Sequence, residues 1–162
     1  MRLTSLLIFI ATLLGCSVDS WKIEAIKGSG VQFEVPESFE TIPEDKDLKG
    51  GVRLYDVRSR SNSGDYIRIT VLEFPEGPEP YAFSQPLNCP DVPLEEVKEK
   101  SEKLLVAGKM ETVIECKTRD RVGYLTVFVR GSSLITVTVS SKLENLDRSR
   151  KLLSKVGYKP NA

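Results

Sequence analysis

METVIECKTRDRVGYLTVFVRGSSLITVTVS, residues 110–140, is the stretch whose pattern decides the fold class. Apolar and polar side chains alternate there in three short runs, and a period of two marks a half-buried strand. The run 110–118 is expected to turn Met110, Ile114 and Cys116 inward. Arg119-Asp120-Arg121 reads as a turn, with Gly123 just beyond. In 124–130, Leu125, Val127 and Val129 share one face and Tyr124 and Phe128 the other. Gly131-Ser132-Ser133 turns the chain again, and in 134–140 Ile135, Val137 and Val139 oppose Thr136 and Thr138. The reading is a meander of three antiparallel strands.

Downstream, Ser141 and Glu144 have the spacing of a capping box, which predicts a terminal helix. Leu143, Leu146, Leu153 and Val156 form its apolar stripe, Gly157 ends it and Pro160 follows. Upstream, the spacing predicts a helix over 94–107, with Leu94, Val97, Ser101, Leu104 and Leu105 on one stripe. Pro93 suits its first turn and Gly108 its end. Residues 75–93 hold six of the nine prolines, with Tyr81, Phe83 and Cys89 among them. Proline lacks an amide donor and fixes φ, so this segment reads as a long loop. Its two aromatic side chains either cap the core or seat a partner.

Further upstream, 52–58 and 66–74 read as two strands around a polar loop. Ile67, Ile69 and Val71 share one face of the second strand, and Tyr66, Arg68 and Thr70 share the other. Arg53, Arg58, Arg60 and Arg68 make this hairpin basic. It is either a solvated sheet face or a contact for acidic polymer or lipid headgroups. Val31 to Val35 alternates as another strand, stopped by Pro36. Residues 36–51 read as a polar, turn-rich loop, and its Glu44, Asp45 and Asp47 lack the spacing of a calcium loop. The order of strands, long loop, helix, strands and helix predicts an α+β domain over 29–158. Its expected form is an antiparallel sheet of about five to six strands with two helices packed on one face.

The front end has a different character. Leu6 to Leu14 is almost wholly apolar after Met1-Arg2. It falls short of the roughly 20 apolar residues that span a bilayer and matches a signal-peptide core. Leu13-Leu14-Gly15-Cys16 closes it and resembles the lipobox of bacterial lipoproteins. That resemblance implies cleavage between Gly15 and Cys16, a diacylglycerol on Cys16, and acylation of the new amino terminus. Residues 1–15 are then signal peptide and 16–28 a lipidated tether leading into the domain, with Trp21 marking where packing begins. More than one acyl chain makes a stable anchor. Ser17, not Asp, follows Cys16, which in a Gram-negative cell implies the outer membrane, facing the periplasm.

The missing chemistry is informative. The chain has no histidine, which removes Ser–His and Cys–His nucleophiles and histidine-rich zinc sites. No phosphate loop or Ser-x-x-Lys motif occurs. No metal site and no cofactor beyond the covalent lipid are expected. The 23 basic and 23 acidic side chains balance, which argues against nucleic acid. Nothing selects a catalytic pair among carboxylates such as Glu34, Glu73 and Glu115, so no catalytic residue is assigned. With Cys16 lipidated, Cys89 and Cys116 remain as a candidate disulfide in an oxidising compartment. The alternative is a loop thiol and a buried strand thiol.

The strand Val31-Gln32-Phe33-Glu34-Val35-Pro36 leads into Glu37-Ser38-Phe39, a central hairpin, a helix, a three-strand meander and a closing helix. This order resembles the PsbP-like fold over 29–157, and the resemblance implies an adaptor or binding protein more than an enzyme. The expected function is therefore a membrane-anchored, non-catalytic binding lipoprotein of the cell envelope with a protein partner. Tyr81, Phe83, Arg58, Arg60 and Arg68 are its candidate contacts. Two alternatives are an immunity or inhibitor lipoprotein against an envelope-acting toxin or lytic enzyme, and a carboxylate-based hydrolase of envelope polymers.

Overall fold

The computed structural model describes residues 20–77 and 98–159, with the backbone alone at 98 and 99. Strands take 63% of these residues and helical turns 13%. The expected sheet of five to six strands with two helices is therefore overturned: the described residues form two antiparallel sheets and one α-helix. β1 (Trp21–Ala25), β2 (Val31–Pro36) and a late strand, β10 (Val156–Tyr158), form a three-stranded sheet in the order β1-β2-β10. The larger sheet contains β3 (Glu40–Asp47), β4 (Arg53–Arg60), β5 (Tyr66–Glu73), β6 (Lys98–Val106), β7 (Lys109–Lys117), β8 (Arg121–Arg130) and β9 (Ser133–Lys142). Its order is β3-β4-β5-β9-β8-β7-β6. The helix α1 (Leu146–Ser154) follows a 3-10 turn at Leu143–Asn145.

The core gathers one face of the large sheet against β2, β10 and α1. Ile67, Ile69 and Val71 of β5 and Ile135, Val137 and Val139 of β9 are completely buried. Their registers pair Ile67 with Val139, Ile69 with Val137, and Val71 with Ile135. Val31, Phe33 and Val35 close the core from β2, and Leu152 and Leu153 from α1. The alternation read in β2, β5 and β9 reflects this single buried face, because successive strand side chains point to opposite sides, whereas β8 buries side chains on both of its faces.

Where the pattern misled, the reasons are physical. The predicted helix over 94–107 is replaced, within the described residues, by β6. Ala107 and Gly108, with φ of 49° and 78°, form the two-residue turn of a hairpin that joins Val106 to Lys109. Two positive φ values at such a loop are the mark of a type I′ turn. Gly108, read as a helix stop, is a hairpin residue. β6 is an edge strand, and its Glu and Lys side chains do not trace a period of two.

β3 likewise occupies residues expected to be loop. It is an outer strand, mostly exposed, and carries Pro43 and charged residues. Such residues suit an edge because they discourage pairing with another chain.

The terminal helix is shorter than its stripe predicted. Ser141 is the penultimate residue of β9, not a helix cap. Its hydroxyl bonds the Ser149 hydroxyl and donates to the Asn145 carbonyl at 3.1 Å. Val156 and Gly157 belong to β10, so α1 stops at Ser154. Met110, Ile114 and Cys116, expected inward, lie on the face of β7 away from the core, with Met110 60% exposed, whereas Val113 supplies the buried side chain of β7 on the core face.

Candidate functional site

The other face of the large sheet carries the candidate site. Residues alternate across it in two adjacent rows. One row runs Arg58, Arg68, Thr138, Leu125, Ile114 and the next Arg60, Tyr66, Ser140, Gly123, Cys116, each residue opposite its neighbour on the adjoining strand. Arg58 and Arg68 are thus directly opposed like charges, which by themselves destabilise a strand pair.

Asp56 offsets this opposition. It is buried, two residues before Arg58 on the same face. Arg68 donates to it from Nε and Nη2 at 2.8 and 2.9 Å, a bidentate pair. Arg58 donates from Nε and Nη2 at 3.1 and 2.9 Å, and Thr70 Oγ1 donates at 3.1 Å. Burial raises the Asp56 carboxyl. The hydrogen bonds from Arg68 and Arg58, the charge of Arg68 and the Thr70 hydroxyl outweigh it and hold the group below the usual aspartate range. Asp56 therefore stays ionised and fixes two guanidinium groups whose outer parts remain about half exposed.

A groove of about 510 Å³ opens beside them, lined by Arg58, Arg60, Gly64, Tyr66, Arg68, Arg121 and Thr138. Arg121, read as a turn residue, is the first residue of β8. Its Nε and Nη2 donate to Ser140 Oγ at 3.1 and 3.0 Å, and Nη2 donates to the Gly64 carbonyl at 2.7 Å. Gly64 has φ of 85°, a conformation costly for other residues, and a Cβ there would lie 3.6 Å from Arg121 Nη1. These acceptors are neutral, so they orient Arg121 without cancelling its charge. Arg60 is exposed, and its guanidinium makes no ion pair or hydrogen bond among the described residues. Among the described residues four arginines thus line the groove; Asp56 bonds two of them, and Glu40 and Glu44 of β3 stand across from Arg60 and Asp56.

Three of the sequence candidates, Arg58, Arg60 and Arg68, are brought together, and Arg121 joins them from 53 positions beyond Arg68. No local signal marked Arg121, because only the β5-β9-β8 pairing places it here. Cys116 lies buried on this same face. Gly15, Cys16, Tyr81, Phe83 and Cys89 lie outside the described residues.

A second polar chain stands on the core face near the β6 edge. Tyr124 donates to Glu115 Oε2 at 3.0 Å and accepts from Arg150 Nε at 3.1 Å, while Arg150 Nη2 reaches Glu102 Oε1 at 3.0 Å. Burial, aided by Glu115 and opposed by Arg150, pushes the Tyr124 hydroxyl up to about 12. It stays protonated at neutral pH and serves packing. Among the described residues no group of three or more Cys, Asp or Glu side chains is placed to hold a metal. No described helix is long and apolar enough to cross a membrane.

This architecture places the chain among proteins with the PsbP-like fold. The solution structure of cyanobacterial PsbP (CyanoP) from Synechocystis sp. PCC 6803 matches with a TM-score of 0.54 and 16% identity, covering 93% of this chain and 99% of that one. At that identity the likeness is one of fold alone. No family profile matches the chain. No curated protein does either.

Proposed function

We propose that this protein is a membrane-anchored, non-catalytic binding lipoprotein of the bacterial envelope that offers its arginine groove to an anionic partner. The observation that carries the reading is the groove itself: four guanidinium groups from three strands meet there, and Asp56 is the one carboxylate among their described hydrogen-bonding partners. A strand pair that sets Arg58 opposite Arg68 sacrifices local stability, and such departures from local rules concentrate at functional sites. The anchor rests on Leu13-Leu14-Gly15-Cys16, and the lack of histidine supports binding over acid–base catalysis. Ser17 favours the outer membrane, facing the periplasm, where the cell is Gram-negative.

The Cys89–Cys116 disulfide belongs to the same proposal. Cys116 is 2% exposed and is not a partnerless thiol. Gly123, which has no side chain, stands opposite it. The bridge attaches the chain at Cys89 to the face that carries the arginines.

Two measurements test the reading. Cys16→Ser is expected to move the protein out of the membrane fraction, and unchanged fractionation sinks the anchor. A photoreactive residue at Ser63, in the exposed loop beside Gly64, is expected to trap a partner in cells. The adduct disappears in the double variant Arg60→Glu/Arg121→Glu, and an identical adduct in that variant removes the groove from the function.

A further inference from the structure

The chemistry of the groove narrows the partner. Arg121 is oriented in advance by Ser140 and Gly64, and its Nη1 has no acceptor among the described residues. Arg60 is exposed with no partner among the described residues. Arg58 and Arg68 are both held by Asp56. Tyr66 and Thr138 complete the lining, the Tyr66 hydroxyl itself being buried. Glu40 and Glu44 of β3 stand across from Arg60 and Asp56, yet among the described residues no carboxylate bonds Arg60 or Arg121, and these two guanidinium groups favour a ligand with more than one negative charge or several acceptor oxygens.

We infer that the groove recognises a phosphate group, as a phosphomonoester or phosphodiester, with Arg60 and Arg121 as its primary contacts. The inference rests on the groove reading above and deepens it. The planar fork of arginine matches phosphate oxygens in pairs. A simple carboxylate has two oxygens and one charge, and it leaves most of these donors unused. The groove volume of about 510 Å³ lies in the range that encloses a small ligand or a headgroup, roughly 300–1,000 Å³. A phosphate at the surface of the anchoring membrane and a soluble phosphate ester share this chemistry.

Isothermal titration of the full chain in zwitterionic detergent separates these sources. The probes are inorganic phosphate, glycerol 3-phosphate, dihexanoyl phosphatidylglycerol below its micellar concentration, and acetate as the carboxylate control. Saturable binding of at least one phosphate probe is expected, about ten-fold or more tighter than acetate and weakened by salt. Tighter binding of the short-chain lipid assigns the site to a headgroup, and tighter binding of glycerol 3-phosphate assigns it to a soluble ester. Arg121→Gln and Arg60→Gln are each expected to weaken binding by about ten-fold or more, as loss of a charge-assisted contact does. Arg60 is exposed and unbonded, so its variant keeps the test valid if Arg121→Gln misfolds. No saturable binding of any phosphate probe, acetate binding as tightly as phosphate, or unchanged binding in folded Arg60→Gln overturns the inference. If the Ser63 adduct still depends on Arg60 and Arg121 in those cases, the binding function stands and only the phosphate assignment falls.

Discussion

The two hairpins β4–β5 and β6–β7 belong to one sheet and differ in almost every respect. β4–β5 lies inside the sheet, with Tyr55, Val57, Ile67, Ile69 and Val71 buried on its core face and the arginine groove on the other. β6–β7 ends the sheet, and its cross-strand pair Leu105 and Met110 is exposed at 60% on each residue. The inner hairpin is held by apolar burial and uses its outer face for charge. The edge hairpin is held by its turn, by Val106 and Val113, and by the polar chain from Glu102 to Tyr124. Burial of one face is what makes a strand readable, and it also frees the opposite face for binding chemistry.

The largest expected effect is at the inner hairpin. Ile69→Ala should cost about 2–5 kcal/mol, because the completely buried side chain leaves a cavity that the sheet cannot close. Chemical denaturation reads it, and a loss under about 1 kcal/mol breaks the claim that this hairpin is held by burial.

Next comes the outer face of the same strands. Asp56→Asn should cost about 1–2 kcal/mol, less than a fully buried pair because both arginines are half exposed. The folded Asp56 carboxyl sits below its ordinary value of 3.8. Its stabilisation is therefore complete above that value and fades as pH falls through the lower folded one. Acid denaturation below pH 3.8 should be shallower in Asp56→Asn, and identical profiles contradict the role given to Asp56.

On β8, beside the edge hairpin, Tyr124→Phe should cost about 1 kcal/mol through the lost hydrogen bonds to Glu115 and Arg150. The folded hydroxyl is raised from 10.0 to about 12. The stability it contributes is whole below pH 10 and declines as pH rises toward 12. Tyr124→Phe should remove that component of the decline, as alkaline denaturation can show.

A smaller effect of opposite sign tests the turn. Ala107 has φ of 49° ahead of Gly108. Asn-Gly suits that conformation better, so Ala107→Asn should stabilise by about 0.5–1 kcal/mol. A helix in this region would instead be weakened by the same change. The smallest effect is Leu105→Ala, expected within about 0.5 kcal/mol of the parent because the side chain is exposed. A loss comparable to Ile69→Ala would erase the contrast between the hairpins.

The comparison also explains what was legible. β2, β4, β5, β7, β8 and β9 announce themselves through alternation or short apolar runs between turn residues. β3 did not, since it is exposed along nearly its whole length. β6 did not, because Glu and Lys at helical spacing fit an i,i+4 reading as readily as an edge strand. Arg58, Arg60 and Arg68 were legible as a basic hairpin, but their convergence on Asp56 was not. Arg121 and Ser140 were not legible as site residues at all.

From the sequence alone come the inward-facing stripes of the inner strands, the charged hairpin and the absence of histidine chemistry. Each is local, written in side chains a few residues apart, and a strand with one dry face must carry that pattern wherever it sits. The tertiary structure decided the sheet order, the edge strands and the gathering of Arg60 and Arg121 at one groove. These depend on which strands lie side by side, and pairing is settled by burial of the whole core against α1 and the small sheet, not by any short stretch of chain.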